Sequence, residues 1–291
     1  MIDFDWSSLG RVAPKRLMEP RLLLHHAGQL AAAPGASLLP PSPDDSHPNL
    51  GWDEERQALA GRPIESAGSV RAALRPRDLS LLVLDGAGKI LEAIALPGRT
   101  LTDALQDLQS AIERAGEGSI EAALALPGYE LPHHPVVDGA PFPVASEMQE
   151  AWSELAGWFA GGHAVLSRLR SREPGASEVR CWPHHFDIAT LIVRATGEDG
   201  SPTQTVGAGL SPGDDSYGEP YWYVSPWPYP GSGELPPLEG GGHWHREGFT
   251  AAILPASRLI EASDRAGAIE SYFASAIAAS ARIQGDQAAP A

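Results

Sequence analysis

The spacing of apolar residues divides the chain into short strands and a few long amphipathic helices. Leu17, Leu24, Ala27 and Leu30 recur at helical spacing, and Leu22 and Leu23 widen the stripe. They predict a helix over residues 14–33 that Pro34-Gly35 ends. Residues 40–48 are rich in proline, aspartate and serine and read as a loop. An exposed or edge strand is expected over 50–60. Residues 70–74 and 79–84 read as strands, Asp85-Gly86-Ala87-Gly88 as a hairpin turn, and 90–96 as the returning strand. Thr100 with Asp103 three residues on predicts a helix start. Leu101, Leu105, Leu108 and Ile112 form its apolar face, and Gly116 its end.

A strand is expected over 120–126, then a loop over 127–143. Met148, Trp152, Leu155, Phe159, Leu166 and Leu169 predict a long helix over 146–172, with Gly161-Gly162 as a point to kink or split it. Residues 179–182, 186–195, 204–210, 221–224 and 249–254 read as strands, and 226–242 as a long Pro/Gly/aromatic loop. A helix over 264–283 carries Ile269, Phe273, Ile277 and Ala281 on one face, and the tail from Gln284 is expected to fray. Helices interrupt the strands without strict βαβ alternation. That order predicts an α+β fold, mostly antiparallel sheet with about four helices packed on it. The chain reads as one unit over 1–291, with candidate lobes at 1–143 and 144–284 and a disordered tail at 285–291. A strand–strand–strand–helix plan at 70–115, echoed at 186–283, would make the lobes duplicates.

Composition narrows the function classes. Thirty-seven acidic against 21 basic residues give a formal charge of −16, which disfavours nucleic acid and anionic membrane surfaces. No apolar run approaches about 18 residues, so no membrane-spanning helix is expected. The acidic N-terminus lacks the apolar segment of a signal peptide, which leads to an expected cytoplasmic location. A single cysteine, Cys181, excludes an internal disulfide. It lies in an apolar strand and reads as a small buried hydrophobe, not a nucleophile.

The phosphate-loop, dinucleotide, nucleophile-elbow and zinc-protease motifs are all absent. Histidine is the anomaly: His25-His26, His133-His134 and His184-His185 are adjacent pairs, and His243-Trp244-His245 adds a His-x-His. In an extended segment residues i and i+2 share a face, so His243 and His245 can meet one ion. By the same parity His185 goes with Asp187. His185, His243 and His245 are therefore candidate ligands for a divalent metal (Zn, Fe or Mn), with Asp187 as ligand or orienter. Histidines in Trp/Pro-rich segments equally stack on rings or bond to carbonyls. His25 and Gln29 share a helix face and are candidate catalytic residues together with Asp187, which its apolar surroundings predict to be buried.

Seven of the chain's twenty aromatic residues fall between Tyr217 and Trp244. Tyr221, Trp222, Tyr223, Trp227 and Trp244 are candidate ligand-binding residues. The loop over 226–242 is expected to fold over the strand at 221–224. Trp222 or Trp227 with Trp244 would then wall a cleft holding His184 or His185. A closed aromatic minicore is the competing arrangement. Asp214-Asp215 after Pro-Gly reads as a turn before it reads as a catalytic carboxylate pair.

Leu24-His25 with Gln29 four residues on, a His47-containing loop, and the stretch at 58–63 lie in one order along the chain. Pro141-Phe142, Phe186-Asp187-Ile188-Ala189, the Pro/aromatic run at 219–230 and Leu254-Pro255 before a C-terminal helix continue it. Together they resemble an uncharacterised bacterial family, a domain of unknown function. The resemblance spans nearly the whole chain and implies that His25, Gln29, His47 and Asp187 are shared polar positions; it implies no activity. The sequence departs from the family's commoner aromatic-Gly-Ser run at Trp182-Pro183-His184-His185. The expectation is an enzyme with a histidine-centred, metal-dependent or metal-free site acting on a small molecule. The alternatives are a non-catalytic small-ligand or partner-binding protein using the aromatic cleft, or an interaction protein without a pocket.

Overall fold

In a computed structural model, residues 4–116, 120, 122–144, 146–231 and 233–288 are described. They form an α+β fold with two antiparallel sheets, of five and six strands. No helix among them is long and apolar enough to cross a membrane. The chain separates into two compact units. The first comprises Arg16–Ala160 and Arg180–Asp187, the second Met1–Lys15, Gly161–Val179 and Ile188–Ala291.

The first unit is built around α1 (Met18–Leu38), which is buried from Leu23 to Gly35. A helix this poor in polar residues gains stability by being covered on all sides. The expected stop at Pro34-Gly35 does not occur. Proline costs α1 one backbone hydrogen bond, but Gly35 presses against the His47 and Pro48 backbone, where a Cβ would come within 2.7 Å of the His47 carbonyl oxygen. The helix runs on, and Leu39 N–H closes it on the Gly35 carbonyl.

Five strands follow in meander order: β1 (Gly51–Asp53), β2 (Ala58–Ala60), β3 (Arg71–Arg75), β4 (Ser80–Leu84) and β5 (Ile90–Ala95). The single strand expected over 50–60 is a hairpin, with Gly51 opposite Ala60. Asp53 accepts from the Arg56 N–H and guanidinium, so its charged middle makes the turn. The β4–β5 hairpin turns at the expected residues, where Gly88 adopts a φ of 83°. Thr100 and Asp103 form the reciprocal cap at the start of α2 (Leu101–Ala115), and Gly116 ends it.

The strand expected over 120–126 is absent from its described residues. Leu124 N–H donates to the Gln109 side chain and Ala125 N–H to the Ser37 hydroxyl, so these amides have no strand partner. The helix α3 (Ser146–Arg172) is unbroken. β6 (Arg180–Trp182) exchanges backbone hydrogen bonds with Leu50 through Cys181, at 3.0 and 2.7 Å.

In the second unit the sheet order runs β10 (His243–His245), β11 (Ala251–Pro255), β9 (Tyr221–Trp227), β8 (Pro202–Ser211), β7 (Asp187–Thr196). Gly161 and Gly162 act as packing notches here and not as a kink. A Cβ on Gly162 would fall 2.9 Å from Ile188 and 3.0 Å from Leu210. The short α4 (Ala256–Glu261), which sequence reasoning missed, and α5 (Arg265–Ala288) complete the unit. The tail does not fray at Gln284: α5 continues, and the buried Gln284 amide donates to the Thr205 and Trp227 carbonyls. Residues 289–291 lie outside the described residues.

Candidate functional site

His25 and Gln29 lie one turn apart on α1 and converge on a single acceptor. His25 Nε2–H donates to the Pro183 carbonyl at 2.9 Å, and Gln29 Nε2–H donates to the same oxygen at 2.7 Å. That carbonyl opens the turn over 183–186, closed by Phe186 N–H on the Trp182 carbonyl. Phe186 takes a positive φ of 57°, a strained conformation for an aromatic residue. Its ring is stacked on His25, with centroids 5.2 Å apart. Gly28 makes the room, since a Cβ there would come within 2.8 Å of Phe186. Burial drives the His25 pKa down from 6.5 to about 4, against the opposing pull of the Pro183 carbonyl. His25 is therefore neutral at pH 7, and its geometry is that of a clamp on the turn.

Asp187, at the start of β7, is buried as expected. Burial, and then the Asp187 charge, raise the Cys181 thiol well above its ordinary pKa, so Cys181 is no thiolate nucleophile at neutral pH. His184 lies between the Tyr129 and Trp182 rings and against His185.

The second unit gathers a different set. β10 pairs with β11 so that His243 stands opposite Ile253 and His245 opposite Ala251. The expected parity holds: both imidazoles reach one hydroxyl. Tyr217 Oη is 3.1 Å from His243 Nε2 and 3.1 Å from His245 Nδ1. Asp214 places that tyrosine. Its Oδ1 accepts from Ser216 N–H and Tyr217 N–H, and its Oδ2 accepts from the Tyr221 hydroxyl at 2.5 Å. Asp214 is thus the turn residue that the Pro-Gly-Asp sequence suggests.

Proton positions follow from the outer partner. His245 Nε2 faces the Glu247 carbonyl at 2.7 Å, and a carbonyl accepts, so Nε2 carries the hydrogen. With the ring hydrogen on Nε2, His245 accepts at Nδ1 from the Tyr217 hydroxyl, whose oxygen accepts from His243 Nε2–H. Burial, followed by the Asp214 and Glu247 charges, raises the Tyr217 pKa and keeps the hydroxyl protonated. Burial and the neighbouring His245 lower the His243 pKa. The Phe249 ring packs on His245 with centroids 4.3 Å apart, and Tyr223 lies on the same side of β9 as Tyr221.

Among the described residues no group of three His, Cys, Asp or Glu side chains that could hold a metal ion is found. Of the candidate ligands, His243 and His245 share the Tyr217 hydroxyl, and His185 belongs to the other unit. The parity expected between His185 and Asp187 does not hold. His185 lies in the turn over 183–186, so strand alternation does not carry back from Asp187. Trp222, one of the two tryptophans expected to wall a cleft with Trp244, is fully buried against Trp6 and Phe273 and faces the core. Trp227 belongs to β9 and is exposed, edge to face with Tyr229. Trp244 is half-buried, and its indole N–H donates to the Pro236 carbonyl. Arg246 donates to the Gly231 and Gly233 carbonyls, so these two side chains bind three carbonyls of the long loop. Tyr217 was not singled out as a site residue. Its signal was its place three residues after Asp214 in a turn.

Comparison of the chain with family models, curated proteins and solved structures gives no match.

Proposed function

We propose that this chain is an enzyme acting on a small molecule by proton transfer through Tyr217, His243 and His245. The observation that carries the reading is one phenol hydroxyl held at 3.1 Å from each of two imidazoles. His243, the most exposed of the three, is the end that meets the substrate. When His243 Nδ1 takes a proton from the substrate, its Nε2 proton passes to the Tyr217 oxygen. The Tyr217 proton passes in turn to His245 Nδ1. The positive charge ends on His245, whose Nε2–H points at the Glu247 carbonyl. Phe249 and Tyr223 offer apolar ring surface beside the relay.

The test is a panel of small esters, lactones, amides and hydroxy acids, assayed with wild type and Tyr217→Phe side by side. General acid–base catalysis contributes about 10²–10⁴-fold, and a loss of that size in kcat is expected for the variant. Turnover that survives Tyr217→Phe, or none across the panel, overturns the reading. Binding without chemistry is a second reading, favoured by the exposed Trp227–Tyr229 ring pair. It predicts a ligand that shifts tryptophan emission and is lost in Trp227→Ala.

A further inference from the structure

A cavity of about 420 Å³ lies between α3 and α5 in the second unit. That is within the usual range for a single small-molecule ligand, about 300–1,000 Å³. Val165, Arg168, Leu169 and Arg172 recur at helical spacing and so share one face of α3. Across from them α5 offers Ile269, Phe273 and Ile277. Ala274, Ala278 and Ala281 keep the approach low on the exposed side of the same helix. The floor is therefore hydrocarbon, and the charged groups stand at one side.

Those charges favour an anion. Arg168, Arg172 and Arg194 face the cavity along with Glu173 and Glu270. Glu173 is taken up by Arg194 at 3.0 Å. Glu270 stands 3.5 Å from Arg168, and Arg168 Nε is buried without a hydrogen bond. A guanidinium so poorly served accepts a better partner, and the arginine fork matches a carboxylate in two parallel hydrogen bonds. With Arg194 paired to Glu173, Arg168 and Arg172 face Glu270 alone, so in a chain of charge −16 the lining carries one positive charge in excess.

We propose that this cavity binds a medium-chain carboxylate, with its hydrocarbon body between α3 and α5 and its head group on Arg168 and Arg172. The site shares no residue with the Tyr217 cluster and stands independently of the enzyme reading. Calorimetric titration at pH 7 with decanoate and with decyltrimethylammonium tests it, since the two share a chain and differ in the sign of the head. Decanoate binds one to one, at least about tenfold tighter than the cation, a difference of about 1.4 kcal/mol. The double variant Arg168→Gln/Arg172→Gln weakens decanoate at least about tenfold and leaves the cation unchanged. Ala278→Trp, a substitution at an exposed helix position, fills the cavity and abolishes binding of both while its thermal melt stays that of a folded protein. Failure of decanoate to bind below about 1 mM, equal affinity for the two head groups, or full binding by Ala278→Trp overturns the proposal.

Discussion

Replacing His25 by phenylalanine keeps a ring on Phe186 and removes the titratable group. In the folded chain the His25 pKa is about 4, against an ordinary 6.5. Between those values the unfolded chain binds a proton that the folded chain refuses. The stability this group contributes is complete above pH 6.5 and falls as pH drops toward 4. A gap of about 2.5 pH units, at about 1.4 kcal/mol each, makes that loss roughly 3 kcal/mol. At pH 7 the variant lacks the hydrogen bond to Pro183, a net cost of about 1 kcal/mol, while Gln29 still donates to the same carbonyl. Wild type is therefore the more stable at pH 7, the two are equal at roughly pH 6, and the variant leads at pH 4.5. Urea unfolding of both proteins, followed by tryptophan emission across this range, measures the difference. His26, His184 and His243 also have lowered pKa values, but they are common to both proteins and cancel. A difference that stays flat with pH, or a His25 ring titrating near pH 6.5 by NMR, refutes the reasoning.

Gly240→Ala is expected to cost at least about 2 kcal/mol, read by thermal unfolding. Gly240 has a φ of 65°, and a Cβ there would overlap the Ala268 carbonyl oxygen; unchanged stability would contradict that packing. Cys181 is expected to be silent to Ellman's reagent at pH 8 in the native protein and fully reactive in urea, because burial and Asp187 hold its thiol protonated. Rapid native labelling would show that the β6 strand opens or that the thiol is exposed.

Local rules were enough where the deciding partners are close in sequence. The Asp85–Gly88 turn, the Thr100–Asp103 cap and the His243–His245 parity each depend on residues within four positions of one another. Apart from the Asp53–Arg56 turn, most misreadings involve distant partners. Pro34-Gly35 reads as a stop until the His47–Pro48 backbone is seen against Gly35. His185 reads as sharing a strand face with Asp187 until His25 and Gln29 are found holding the Pro183 carbonyl from more than 150 residues away. Trp222 looks like a cleft wall until Trp6 and Phe273 enclose it. Tyr217 was visible as an aromatic, but its role depends on two imidazoles in another strand. Nothing in the spacing of the α3 arginines announces the cavity across from them.

The carbonyls of Trp6 and Leu9 accept hydrogen bonds from Arg265, 259 and 256 positions further along. A ribosome adding about 5–20 residues per second needs roughly 10–50 s to make that arginine after the tryptophan has left the tunnel. Trp222, beside which the Trp6 ring ends up buried, is made before Arg265, so the ring gains its native neighbour before its backbone gains this donor. The second unit thus fastens the Trp6–Leu9 segment with a side chain made much later. A nascent chain stalled before Arg265 leaves those two carbonyls without this donor.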